Sequence, residues 1–363
     1  MNELIISKPD DFHLHVRDGP ILKSVLNYTA SQFSRAIIMP NLTPPIRTVS
    51  EAFLYRARIL NALSPENASF EPLMTLYLTD HTTPQIVKEA AESGFIRAFK
   101  LYPFGATTNS SYGVTDLNGL HDAFHAMEQY NLVLCIHAEI ADPELDMLHR
   151  EDAFISTHLN TLLTSFPALK IVVEHCTTKS TVDFISNYYT THSIQGSPRL
   201  VGSITPHHLL FNTMKLFEHG KLQPDHFCLP ILKSEFDRKG ILQVVTHDTH
   251  GLFFAGTDSA PHLVASKSNQ SGHGCAAGIF CAPNAVEFYA QAFDSMNQLN
   301  HLEAFLSQNG AKFYGLSINP QQKKLKLSRK PTQVMDVLEI PELSDSIRPL
   351  YAGQYIPWSV SPL

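Results

Sequence analysis

Short apolar runs, rich in β-branched residues, recur along the chain, and each ends in polar residues. They occupy residues 11–16, 35–40, 72–78, 95–101, 131–137, 169–175, 200–205 and 252–258. A strand that is apolar at almost every position is buried on both faces, as in a parallel sheet covered by helices. The intervening segments can supply those helices. The clearest covers residues 83–94, with Thr83 as N-cap, Pro84 in the first turn, apolar Ile86, Val87, Ala90 and Ala91, and Gly94 as terminator. Eight strand–helix units predict an α/β fold of the (β/α)8 TIM-barrel type, with a doubly wound open sheet as the alternative. Beyond the eighth run, Pro283-Asn284-Ala285-Val286 opens a long helix with Val286, Ala290, Phe293 and Met296 on one face. A shorter helix carrying Leu302, Phe305 and Leu306 is expected to stop at Asn309-Gly310. The expectation is one domain over residues 1–363, with the barrel at about 8–300 and a helical C-terminal extension at about 301–363.

Composition narrows the function classes. The chain has 363 residues, 44% of them apolar and 17% charged, with a net charge of −7 and a pI near 6.2. A sizeable core is therefore available, and no overall basic field favours nucleic acid. Lys323, Lys324, Lys326, Arg329 and Lys330 form a local basic cluster that reads as a solvated face. No apolar run approaches the roughly 18 residues that a bilayer span requires. Met1-Asn2-Glu3-Leu4-Ile5-Ile6 is too short and too acidic for a signal peptide. The five cysteines are scattered and include no C-x-x-C pair, which argues against a disulfide framework or a zinc ribbon. A cytoplasmic protein is expected. Histidine is the anomaly: 19 copies against 17 glycines. Because imidazole is the commonest metal ligand, that surplus raises the question of a metal site.

The position of the polar residues sharpens the question. In a barrel the C-terminal strand ends form the face that carries active sites. His13 and His15 lie two apart on the first run, so their imidazoles point to one side. An isolated H-x-H more often marks hydrogen-bonded histidines at a strand end. Here His137 ends the fifth run, His175 the sixth and Asp258 the eighth, which collects four histidines and a carboxylate on one rim. Such a mixture suits Zn²⁺ and its first-row neighbours. Lys100 ends the fourth run. An ammonium cannot ligate a metal, but a neutral amine can add CO₂ and become a carbamate able to bridge two ions. The alternative for Lys100 is an ion pair at the barrel mouth.

Longer stretches carry a family resemblance. They are Asp11-Phe12-His13-Leu14-His15-Val16-Arg17-Asp18, Met39-Pro40-Asn41-Leu42, Phe99-Lys100-Leu101-Tyr102-Pro103, Ala106-Thr107-Thr108-Asn109-Ser110, His137-Ala138-Glu139, Glu174-His175, Cys228-Leu229-Pro230-Ile231-Leu232-Lys233 and Gly256-Thr257-Asp258-Ser259-Ala260-Pro261-His262. In this order, from residue 11 to about residue 315, the chain resembles the amidohydrolase superfamily and, within it, the short class II-type dihydroorotases.

The resemblance implies a binuclear centre with two divalent ions, zinc first among them. His13, His15 and Asp258 would hold one ion, and His137 and His175 the other. Lys100, carboxylated to N6-carboxylysine, and a hydroxide would bridge them. It implies reversible cyclisation of N-carbamoyl-L-aspartate to L-dihydroorotate in pyrimidine biosynthesis, with Asp258 as the proton-transferring catalytic residue. Arg17, Asn41 and His262 would bind the substrate carboxylate, Leu229 would offer backbone groups to the ring, and Thr107 and Thr108 would lie on a lid. Read from residues alone, Asn41 before Pro44-Pro45 is a turn residue, and 106–113 is a small polar loop. Residues 263–278 match less well; Ala277, rather than Ala276, is taken as the substrate contact. The resemblance implies a homodimer with a small-molecule substrate. Competing readings are a hydantoinase or allantoinase, which would share the metals, and a catalytically dead barrel serving as a scaffold.

Overall fold

In the computed structural model, residues 2–192, 198–218, 220–268, 275–318 and 321–363 are described. Eight parallel strands lie on the eight apolar runs: Asp10–Leu14, Arg35–Ile38, Glu71–Tyr77, Ile96–Leu101, Val133–Ile136, Lys170–Val173, Leu200–Ile204 and Phe253–Ala255. Each pairs with its neighbour in chain order. The first and last strands meet just beyond their ends. The His15 N–H donates to Ser259 O at 3.2 Å, and the Asp258 N–H donates to His13 O at 2.8 Å. That junction makes a nearly closed barrel and removes the open-sheet alternative.

One side chain from each strand fills the barrel interior: Phe12, Ile37, Leu73, Ala98, Val133, Val172, Val201 and Phe254. The opposite strand faces pack on the helices in a second, larger cluster. This two-sided burial is why the runs are apolar at almost every position. The helix Pro84–Glu92 forms as expected, with Thr83 Oγ1 accepting from Ile86 N–H and Gly94 in the left-handed region at φ 74°. At the N-terminal end of the barrel, Asp10 and Arg35 form a buried two-pronged ion pair, and Arg35 also donates to Ser317 O at 2.8 Å.

The long helix after the eighth strand runs Ala285–Ser295, as expected. The stop at Asn309-Gly310 does not occur, because an α-helix covers Asn309–Phe313. Both residues serve packing instead. Asn309 Nδ2 donates to Phe253 O at 2.9 Å, and a Cβ on Gly310 would overlap the Phe12 ring. The extension is thus helical as far as Phe313, and strands follow. Lys324–Ser328 pairs antiparallel with Glu3–Ser7 on one side and with Ser359–Pro362 on the other. The basic cluster contains a period-two pattern, in which Leu325 and Leu327 are buried while Lys326 pairs outward with Glu3 at 2.6 Å. Among the described residues no helix is long and apolar enough to cross a membrane.

Candidate metal centre

The C-terminal strand ends bring the expected residues together. His13 and Lys100 lie on strands, and His15, His137, His175 and Asp258 lie just past strand ends. All six are buried, and five of them line one cavity together with Arg17, Asn41, Thr107, Thr108, Leu229 and Ala277. His175 (φ 41°), Asp258 (φ 46°) and Arg17 (φ 56°) occupy the left-handed region. Such strain costs about 1–3 kcal/mol per residue and aims side chains where extended backbone would not. Arg17, two residues past His15, therefore does not share a strand face with it. The strand ends at Leu14, and a left-handed turn brings the guanidinium over the rim.

The ring nitrogens are oriented by partners that can only accept. His13 Nδ1 donates to Glu174 Oε2 and His15 Nδ1 to Asn41 Oδ1, both at 2.8 Å. This leaves the two Nε2 lone pairs facing each other at 3.3 Å, with Asp258 Oδ1 3.0 Å from His15 Nε2 and 3.4 Å from His13 Nε2. On the other side, His137 Nε2 donates to Glu139 Oε2 at 2.9 Å, so its Nδ1 lone pair faces His175 Nε2 at 3.2 Å. Burial pushes the His15 imidazole down to about 4, and it also lowers His137 and His175. These rings are therefore neutral at pH 7. Acceptors held at contact distance with no proton between them, as His13 Nε2, His15 Nε2 and Asp258 Oδ1 are, repel one another, and a cation placed among them turns the repulsion into ligation. Donor atoms of His13, His175 and Asp258 lie within 4.8 Å of one another, close enough to share an ion.

Lys100 is fully buried, and its Nζ has no hydrogen-bond partner among the described residues. It lies 5.1 Å from the centroid of the Tyr102 ring. Burial lowers its pKa, against the pull of Glu174 and Asp258, and so favours the neutral amine. The donor set and this orphaned nitrogen fit a two-ion centre bridged by a modified lysine.

Around the rim, an Arg17 terminal nitrogen lies 3.0 Å from His262 Nε2, and Arg17 Nε donates to Pro261 O at 3.2 Å. His262 Nε2 is also 2.9 Å from Ala277 O. Of the two alanines, Ala277 lines the cavity, whereas the Ala276 N–H is bonded to Ser266 O. The polar loop is seated on this rim: Thr108 Oγ1 donates to Ala277 O at 3.3 Å, and Asn109 Nδ2 donates to Asn41 O at 2.9 Å. Beneath it the cavity measures about 30 Å³, room for ions or water but far below the roughly 300 Å³ or more of a small-molecule site. Sequence reasoning gave no role to Glu139 and Glu174, which orient His137 and His13. A carboxylate beside or two residues from a strand-end histidine is the signal that marks them.

Residues 5–320 match the amidohydrolase family. A dihydroorotase of Picosynechococcus sp. is 45% identical over 363 residues, 100% of each chain, and one of Acaryochloris marina is 47% identical over 360 residues, 99% of each. A solved dihydroorotase of Saccharomyces cerevisiae, in complex with 5-fluoroorotic acid, superimposes with a TM-score of 0.90 at 32% identity, covering 100% of this chain and 99% of that one. With its barrel, its convergent donors and this likeness over its whole length, the chain belongs to the amidohydrolase family and, within it, to the dihydroorotases.

Proposed function

We propose that the chain catalyses the reversible cyclisation of N-carbamoyl-L-aspartate to L-dihydroorotate with two divalent ions, zinc first among them, held by His13, His15, Asp258, His137 and His175. Lys100 carries the reading: a fully buried amine without a partner, beside carboxylates and neutral imidazoles, has no evident structural purpose. As a neutral amine it adds CO₂, forming an N–C bond and losing one proton, and the resulting carbamate presents two oxygens. When bound, two ions would polarise the attacked carbonyl and lower the pKa of water between them.

The chain's own residues do the rest. Asp258, whose Oδ1 borders the cavity's donor atoms, accepts the proton of the attacking water and returns it to the departing ring nitrogen. In the cyclising direction it takes the proton from the ureido nitrogen. Arg17 offers a planar fork to the substrate's free carboxylate, with Asn41 and His262 as further donors. Leu229 and Ala277 present backbone groups to the ring. The 30 Å³ beneath the loop is too small for that ring, so the segment bearing Thr107 and Thr108 lifts to admit substrate and closes to exclude water.

The barrel and its extension form one domain in this reading, supported by the strand Lys324–Ser328 clasping Glu3–Ser7. Five free cysteines suit the cytoplasm, and the low charged fraction suits a homodimer. Turnover of L-dihydroorotate, hydantoin and allantoin before and after chelation tests the proposal. The expected result is chelator-sensitive hydrolysis of dihydroorotate, with ring closure in reverse. Equal or greater turnover of hydantoin or allantoin overturns the substrate, and full activity without metal overturns the centre.

A further inference from the structure

A second group of donors lies outside the centre described above. Thr205 caps the short helix Pro206–Leu210, which begins just after the seventh strand and carries His207 and His208. Both are buried, as is Cys228, and one donor atom from each of the three lies within 4.8 Å of the others. His207 is the anomaly. It is fully buried, and neither of its ring nitrogens has a hydrogen-bond partner among the described residues. Leaving one buried polar atom unsatisfied is costly, so a histidine with two requires a reason.

The neighbours supply one. His208 Nδ1 sits 2.7 Å from Thr205 Oγ1 and its Nε2 3.1 Å from Pro230 O. Cys228 Sγ lies 3.3 Å from that same carbonyl and 4.0 Å from His208 Nε2. Two imidazoles and a thiol thus have donor atoms within 4.8 Å of one another, and a carbonyl oxygen borders the thiol and one of the imidazoles. Separations of roughly 3.3–3.8 Å between donors are what a tetrahedral ion with bonds of about 2.0–2.3 Å requires. We propose that His207, His208 and Cys228, with Pro230 O as fourth donor, bind a thiophilic divalent ion such as Zn²⁺ or Cd²⁺.

Binding moves two protons. The Cys228 thiol loses its proton to solvent as the sulfur–metal bond forms. His208 shifts its proton from Nε2 to Nδ1, where Thr205 Oγ1 accepts it, and so frees Nε2 for the ion. The site borders the cavity, because Leu229, between Cys228 and Pro230, lines it. An ion here fixes the backbone on both sides of Leu229. A mixed N, S and O donor set with a thiolate favours zinc and its congeners over Mg²⁺ or Ca²⁺.

The test uses the full chain, stripped of metal and titrated with Co²⁺. None of the six donors of the main centre is sulfur, so a thiolate-to-cobalt charge-transfer band reports this site alone. The expected result is a third equivalent of bound ion that brings the band. The band is lost in Cys228→Ser and in His207→Gln and kept in Cys275→Ser. No band in the wild type, a band that survives Cys228→Ser, or a band that survives His207→Gln each overturns the proposal. If Cys228→Ser does not fold, cadmium NMR of the wild type decides, since a resonance shifted by one sulfur ligand supports the site and its absence overturns it. Loss of the two-ion centre would instead appear as lost turnover with the band intact.

Discussion

The two ends of the barrel are built from the same eight strands and obey opposite rules. At the N-terminal end and through the interior, Phe12 packs edge-on against Phe254 and stacks on Tyr314, with ring centroids at 5.0 and 5.2 Å. A charged pair there, Asp10–Arg35, satisfies both carboxylate oxygens. At the C-terminal end, the Nε2 lone pairs of His13 and His15 oppose one another, Lys100 Nζ, His175 Nδ1 and Glu174 Oε1 have no partner among the described residues, and left-handed residues store strain. Three unmatched polar atoms gathered on one strand-end rim mark a place where the fold gives up stability to hold something.

Four experiments press on that contrast. The largest effect belongs to Lys100→Ala, which removes the orphaned amine. Turnover of dihydroorotate is expected to fall roughly 10³-fold or more and bound metal to drop, while the metal-free variant melts no lower than metal-free wild type. A variant that keeps both ions and full activity would end the bridging role. At the opposite pole, Phe12→Ala is expected to cost about 3–5 kcal/mol in denaturant unfolding, with kcat per folded molecule nearly unchanged. A large loss of kcat at full stability would mean that the two ends are not separable.

Arg35→Met leaves the Asp10 carboxylate buried and unpaired, at an expected cost of about 3–5 kcal/mol. Burial already pushes the Asp10 carboxyl up, and Arg35 opposes that shift. Without the guanidinium, the folded-state pKa lies further above the unfolded value. The variant is therefore most stable in acid and loses stability as pH rises through the folded pKa. Melting scans against pH should show this slope, and Asp10→Asn in the same background should flatten it. Last in size, Thr107→Ala combined with Thr108→Ala is expected to lower turnover roughly 10–100-fold with metal content intact. Wild-type kinetics from that double variant would remove the loop from the reaction.

Most of this contrast was readable in the residues. All eight strands were legible because two-sided burial keeps almost every position apolar, and the candidate donor residues were legible because they interrupt that pattern near one end of five of the runs. Less visible was whatever depends on where distant segments meet. The residues Glu139 and Glu174 stand near histidines in sequence, yet which ring nitrogen each one holds is decided only in three dimensions. The turn that swings Arg17 over the rim is left-handed, a conformation its side chain does not announce. Gly310 resembled a helix stop because the close approach of Phe12, almost three hundred residues earlier, is invisible locally. The alternation from Lys324 to Ser328 was overshadowed by its charges, and its partner lies at the far end of the chain.

That last pairing bears on how the protein is made. Glu3–Ser7 leads directly into the strand that carries His13, yet its neighbour Lys324–Ser328 leaves the ribosome more than three hundred residues later. Until then, a strand of the nascent chain waits with its backbone groups unpaired while the barrel assembles beside it. Closing a loop of this length is slow, and an unpaired edge invites association with other chains in the meantime. Synthesis that stalls before Lys324 would therefore leave a nearly complete barrel with an unguarded edge beside the strand that carries His13.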